Sequence, residues 1–143
     1  MPPQDLARGV MNEYEFKNRT KQLALRVIKL VSTLPKAQAA EIIGRQLLRS
    51  ATSVGANYRA ACRGKSQADL INKLTIVEEE ADETLYWLEL LIESEIVSET
   101  KLSLLMTETN EIIAMTVASI RTLRKLHVPN PKSKISAVRL DIQ

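Results

Sequence analysis

The sequence of 143 residues is poor in the residues that cross-link, ligate or turn a chain: it holds one cysteine, one histidine and four glycines. The lone Cys62 cannot form a disulfide within the chain, and it fits a reducing compartment such as the cytoplasm. Aromatic residues make up only 3%, which argues against the aromatic-rich strands of a β-sandwich or barrel. No apolar run reaches the length of about 18 residues that a membrane span requires. We therefore expect a cytoplasmic, all-α protein that does not enter a membrane.

The residues needed for common catalytic sites are also missing. His127 is the only imidazole, so the Glu-x-x-His motifs of di-iron bundles cannot occur in pairs. The sequence contains no glycine-rich phosphate loop, and no base is placed beside Ser53 or Cys62 to activate either as a nucleophile. We expect a non-enzymatic protein with no metal, no cofactor and no small-molecule substrate.

What the chain has in abundance is helical periodicity. Apolar residues recur at helical spacing in four stretches, which predict helices over 15–34, 36–62, 67–93 and 99–126. Pro35 ends the first, because the residue before a proline avoids the helical region. Ser66 and Asp69 form the capping pattern that opens the third. Short links between long helices predict an up-down-up-down antiparallel four-helix bundle over 15–126, with a disordered segment over 1–14 and a mobile basic tail over 127–143.

A polar row runs beside the apolar stripe of the second helix, and polar groups at the edge of a core need partners. We expect those partners among the carboxylates of the third helix, where close like charges need a cation or an arginine between them. The expected structural seam consists of Gln46, Arg49, Ser53, Asn57, Glu79, Glu80 and Glu83.

Charge is distributed unevenly along the chain. Residues 36–66 carry a net charge of +5 and residues 67–100 a net charge of −9, so the second and third helices should attract each other. Alternatively, part of the basic surface remains exposed after the helices pair. Such a surface would bind the phosphates of RNA or DNA without reading bases. The candidate nucleic-acid-binding residues are Arg45, Arg59, Arg63, Lys65, Arg121, Arg124 and Lys125.

The apolar faces of the third and fourth helices are wider than a four-helix core needs. A face of that width either contacts the core twice or meets another subunit, and we expect self-association into a homo-oligomer. An adaptor that docks a partner protein through the acidic face of the third helix is the alternative function.

The second helix also carries a specific pattern. Gln46-Leu47-Leu48-Arg49-Ser50-Ala51 followed by Ser53-Val54-Gly55-Ala56-Asn57 resembles the bacterial four helix bundle protein family, first noticed as reading frames inside intervening sequences of large-subunit ribosomal RNA genes. Many members continue Ile-Ala-Glu-Gly, where this chain has Tyr58-Arg59-Ala60-Ala61.

The resemblance implies an antiparallel four-helix bundle that assembles into rings, commonly pentamers. It also implies similarity to the accessory protein of diversity-generating retroelements, a basic pentamer linked to nucleic acid. No enzymatic activity is established for this family, so the resemblance and the missing catalytic residues lead to the same expectation.

Overall fold

The computed structural model of the chain describes residues 12–126, and these residues form four α-helices joined by short links. The helices are α1 (Glu13–Ser32), α2 (Gln38–Cys62), α3 (Gln67–Glu93) and α4 (Glu99–Leu126). Each helix packs against the next one in sequence, and α4 closes the bundle against α1 through the loosest of the four helix contacts. This up-down-up-down arrangement confirms the predicted fold class.

Local signals set where the helices begin and end. Asn12 caps α1 by accepting a hydrogen bond at Oδ1 from the Glu15 backbone N–H at 2.8 Å, which starts the helix two residues before the predicted boundary. Ser66 caps α3 by accepting the Asp69 backbone N–H at 3.1 Å, as predicted. At its other end, α1 stops at Ser32, because Thr33 already forms the C-cap ahead of Pro35.

The core is a continuous apolar layer between the four helices. Phe16 and Tyr58 stack at one end with ring centroids 4.6 Å apart, and both side chains are fully buried. The aliphatic centre consists of Leu23, Val27, Leu47, Val54, Leu74, Val77, Leu88, Leu91, Leu102 and Ile112. Burial of a leucine or valine side chain stabilises the fold by about 1.5–3 kcal/mol. This layer is therefore the main source of stability for the bundle.

The small residues of α2 allow close approach of α1. A Cβ placed on Gly55 would lie 3.4 Å from Thr20 Oγ1 and 3.5 Å from the Thr20 carbonyl oxygen. These are ordinary van der Waals distances, so the two helix backbones run close together at Gly55, and the small residue leaves a shallow surface above them.

The predicted disordered segment over 1–14 falls mostly outside the described residues, and the predicted basic tail over 127–143 falls wholly outside them. Of the first segment, residues 12–14 are described, and Glu13 and Tyr14 belong to α1.

Candidate nucleic-acid interface and polar seam

Arg49 is the centre of the polar seam between α2 and α3. Its Nη1 and Nη2 atoms donate to the two carboxylate oxygens of Glu80, both at 3.1 Å, and Nη2 also donates to Glu83. Glu83 accepts a further hydrogen bond from Trp87 Nε1 at 3.1 Å. The bond from Trp87 and the neighbouring Arg49 guanidinium hold the pKa of Glu83 below its usual range. One arginine therefore links two carboxylates on successive turns of α3.

The other predicted members of the seam do not join this network. Gln46 and Glu79 are exposed, and within residues 12–126 no hydrogen bond connects either side chain to another residue. Asn57 Nδ2 donates to the backbone carbonyl of Ser53 at 2.9 Å, inside α2 itself. Of the seven residues expected in the seam, the hydrogen bonds of the described residues join Arg49, Glu80 and Glu83 into one network.

The charged part of the seam is also less buried than the pattern suggested. The Arg49 side chain is 47% exposed, and Glu83 is 37% exposed. Two polar residues near the seam, Ser50 on α2 and Thr84 on α3, are fully buried. Their hydroxyl oxygens lie 2.9 Å apart. Sequence reasoning missed this pair, although a serine and a threonine at core positions of adjacent helices are a usable signal.

A second ion-pair network closes the bundle between α1 and α4. Arg19 donates through Nε and Nη2 to the carboxylate of Glu108, at 2.8 and 2.6 Å, and through Nη2 to Glu111 at 2.7 Å. The Arg19 guanidinium therefore forms a fork that bridges two carboxylates of α4, just as the Arg49 guanidinium bridges two carboxylates of α3. No local pattern predicts it, because Arg19 and Glu108 are separated by 89 positions in the chain.

The predicted nucleic-acid-binding residues do not all lie together. Arg45 lies in the first half of α2, away from the rest. The other six share the end of the bundle where α2 and α4 finish and α3 begins, and all six are exposed: Arg59, Arg63, Lys65, Arg121, Arg124 and Lys125. We call these six residues the basic end.

The basic end is held in place by a direct contact between helices. Gln67 Nε2 donates to the backbone carbonyl of Leu123 at 2.7 Å, which fixes the start of α3 against the last turns of α4. Among residues 12–126, the nearby carboxylates are Asp69 in the first turn of α3 and Glu13 and Glu15 in the first turn of α1. The cations therefore outnumber the carboxylates at this end, and an anion would be attracted to it.

The described part of the chain holds no cluster of metal-ligating side chains. Across residues 12–126, no group of three or more His, Cys, Asp or Glu side chains is arranged to hold a metal ion. Burial raises the pKa of the Cys62 thiol to about 12, and the nearby Glu13 carboxylate acts in the same direction. Cys62 is therefore a protonated thiol at neutral pH and a poor nucleophile.

Among residues 12–126, no helix combines the length and the apolar content that crossing a bilayer requires.

Within residues 12–126, fold and surface together define a four-helix bundle with two interhelical arginine forks and a strongly basic end. A family model described as 23S rRNA-intervening sequence protein matches residues 12–118, and the chain belongs to that family. Among solved structures, the chain is similar to a protein from Bacteroides thetaiotaomicron, described as having unknown function and belonging to the S23 ribosomal protein family.

The likeness to that bacterial protein extends over most of both molecules. The two chains are 37% identical and superpose with a TM-score of 0.72, over 76% of this chain and 97% of the other. No curated protein matches the sequence.

Proposed function

We propose that this chain is a non-enzymatic, cytoplasmic, homo-oligomeric protein that binds RNA or DNA through its basic end. The proposal rests on six exposed cationic residues that lie at one end of the bundle and come from two helices and one link. Contacts of this kind recognise phosphates and position a nucleic acid without reading its sequence. The match to the 23S rRNA-intervening sequence protein family agrees with an RNA-related role and names no ligand.

Self-association is supported by apolar side chains that remain exposed in the single chain. Leu25 and Ile28 lie one turn apart on α1 and are each nearly half exposed, and Leu104 on α4 is 75% exposed. Neighbouring apolar side chains that stay exposed, as Leu25 and Ile28 do, are typical of surfaces that meet another molecule. We propose a ring of subunits, with the pentamer implied by the resemblance as its size, because repeated basic ends would add avidity for one polyanion.

A fluorescence anisotropy titration tests nucleic-acid binding. We expect labelled RNA or DNA to bind at 50 mM salt and to lose about 10²–10³-fold in affinity at 200 mM, since about six phosphate contacts release that number of counterions. Replacing Arg121, Arg124 and Lys125 together with alanine should weaken binding and flatten the salt dependence. A matched control replaces Arg26, Lys29 and Lys36, which are exposed cations toward the other end of the bundle.

Two results would overturn the proposal. One is no binding of any RNA or DNA by the wild-type protein at low salt. The other is an equal loss of affinity in the basic-end variant and in the control variant, which would mean that net charge alone governs binding.

The outer face of α3 supports a second candidate function, docking of a partner protein. Glu79, Asp82 and Tyr86 are exposed there, whereas Glu80 and Glu83 bind Arg49. Affinity capture from a native extract should recover a partner with wild-type protein and lose it with Glu79→Lys/Asp82→Lys. Capture that is unchanged in this variant would remove the acidic face as the docking surface.

A further inference from the structure

A groove of about 510 Å³ runs along the outer surface between α1 and α2. Lys17 and Lys21, one helical turn apart, form its α1 wall, and Arg59 contributes from α2. Gly55 and Ala56 form part of its floor. With such small side chains on the floor, a ligand can approach the helix backbones closely.

The chemistry of this groove is that of an anion site. Three of its side chains are cationic, and no carboxylate is among the described residues that line it. The carboxylates that bind Arg19, Glu108 and Glu111, belong to α4 and lie on the side of α1 that faces α4, away from the groove. Within residues 12–126 no salt bridge engages Lys17, Lys21 or Arg59, so their charges are available to an external ligand.

An exposed aromatic ring lies at one end of the same groove. Tyr14 is 82% exposed, the largest exposure of any large apolar side chain in residues 12–126, and it lies one turn from Lys17 on α1. A ring that contributes so little to the core is free to stack on another flat group. Cations beside an aromatic platform are the combination that binds single-stranded nucleic acid, because the ring stacks on a base while the cations contact the backbone.

We propose that the α1–α2 groove binds a single strand of nucleic acid, with one base stacked on Tyr14 and the adjoining phosphates on Lys17, Lys21 and Arg59. The inference rests on the proposed function and specifies the form of nucleic acid and where it lies. From Tyr14 to Ala24 the groove follows α1 for about 15 Å at 1.5 Å per residue. That length accommodates about four nucleotides at 3.4 Å per stacked nucleotide. Arg59 belongs to both surfaces, so a strand in the groove continues onto the basic end.

The test compares a labelled 12-nucleotide oligouridylate with a duplex of the same length, by anisotropy at 50 and 200 mM salt. Lys17→Ala/Lys21→Ala should weaken single-strand binding at least tenfold and reduce the salt slope by about 1.4, at about 0.7 per lost contact. Tyr14→Ala should weaken single-strand binding at least fivefold and leave duplex binding within twofold. Tyr14→Phe should bind like the wild type, because stacking needs only the ring.

Matched variants control for charge and for aromatic loss. Lys29→Ala/Lys36→Ala removes the same charge far from the groove, and Tyr86→Ala removes an exposed ring from α3; both should leave binding within twofold. All substituted side chains are exposed, so circular dichroism should confirm an unchanged fold in each variant.

The outcomes separate this inference from the proposed function. Binding that depends on Arg121, Arg124 and Lys125 but not on Lys17, Lys21 or Tyr14 overturns the groove and leaves the proposed function standing. Equal loss of single-strand and duplex binding in Tyr14→Ala overturns the stacking role. A change of oligomeric mass in the groove variants also overturns the inference, because the groove would then be a contact between copies. Absence of any nucleic-acid binding by the wild type overturns both proposals.

Discussion

Removal of the Arg49 side chain perturbs the seam between α2 and α3 at its centre. In Arg49→Ala, Glu80 loses two hydrogen bonds and Glu83 loses one. Glu83 retains Trp87 as a donor, but Glu80, whose side chain is only 18% exposed, keeps no cation within residues 12–126. The variant should therefore fold into the same bundle with lower stability.

The expected loss in the free energy of unfolding follows from how exposed Arg49 and its carboxylate partners are. Breaking a fully buried ion pair costs about 3–5 kcal/mol, whereas exposed pairs contribute about 0.2–1 kcal/mol. Arg49, with nearly half of its side chain in water, lies between these limits, and we expect a loss of about 1–2 kcal/mol. For a chain of this length that corresponds to a fall of about 3–8 °C in Tm.

Urea and thermal denaturation followed by circular dichroism measure this loss. Arg45→Ala is the control, because Arg45 is exposed one turn earlier on α2 and no salt bridge joins it to residues 12–126. The difference between Arg49→Ala and wild type should shrink in 1 M salt, where the screening length falls to about 3 Å. A loss above about 3 kcal/mol would show that the seam is buried in the folded protein, and no loss at all would show that the ion pairs do not stabilise it.

Three further outcomes are expected, each measurable by the same denaturation assays. Tyr58→Phe should be neutral or stabilising by about 1 kcal/mol, because the Tyr58 hydroxyl is buried and, within residues 12–126, has only the weakly hydrogen-bonding Cys62 thiol beside it; a loss above about 1 kcal/mol would show that this contact stabilises the fold. Glu83 has a lowered pKa in the folded state, so its contribution is complete above the unfolded pKa and disappears as pH falls through the folded value. Glu83→Gln should therefore lower stability at neutral pH and flatten the acid side of the stability profile, and an unchanged profile would contradict this. Glu95→Gly should stabilise the fold by about 0.5–1 kcal/mol, since Glu95 adopts φ 63° in the link after α3; a destabilised variant would contradict this.

The parts of the fold that sequence could predict are those set by neighbouring residues. The start of α3 was predictable because the Ser66 hydroxyl accepts the Asp69 backbone N–H, a local bond that does not depend on the rest of the chain. The start of α1 carried the same kind of signal in Asn12 and Glu15, and overlooking it placed the boundary two residues late. The end of α1 was predicted near Pro35 and occurs at Ser32, where Thr33 forms the cap.

The candidate site was predictable only where two adjacent helices carry opposite charges. Arg49 could be assigned to the carboxylates around Glu80 because α2 is basic and α3 is acidic. The hydrogen-bond partners of Gln46, which we expected in the seam, could not be predicted. Helical spacing gives the face on which Gln46 lies but not whether water reaches that face. The Arg19 pair with Glu108 depends on how α4 returns to α1, and the α1–α2 groove depends on how closely the two helices approach at Gly55. Both are properties of the assembled bundle.

Size-exclusion chromatography with light scattering, run with and without a single-stranded RNA, tests the central claim most directly. At 50 mM salt we expect one peak whose protein mass is a multiple of 16.0 kDa and which carries the RNA, and at 500 mM salt we expect the same protein mass without RNA. A peak of 16.0 kDa at high protein concentration, with the RNA eluting separately at low salt, would contradict both the oligomer and the nucleic-acid-binding role.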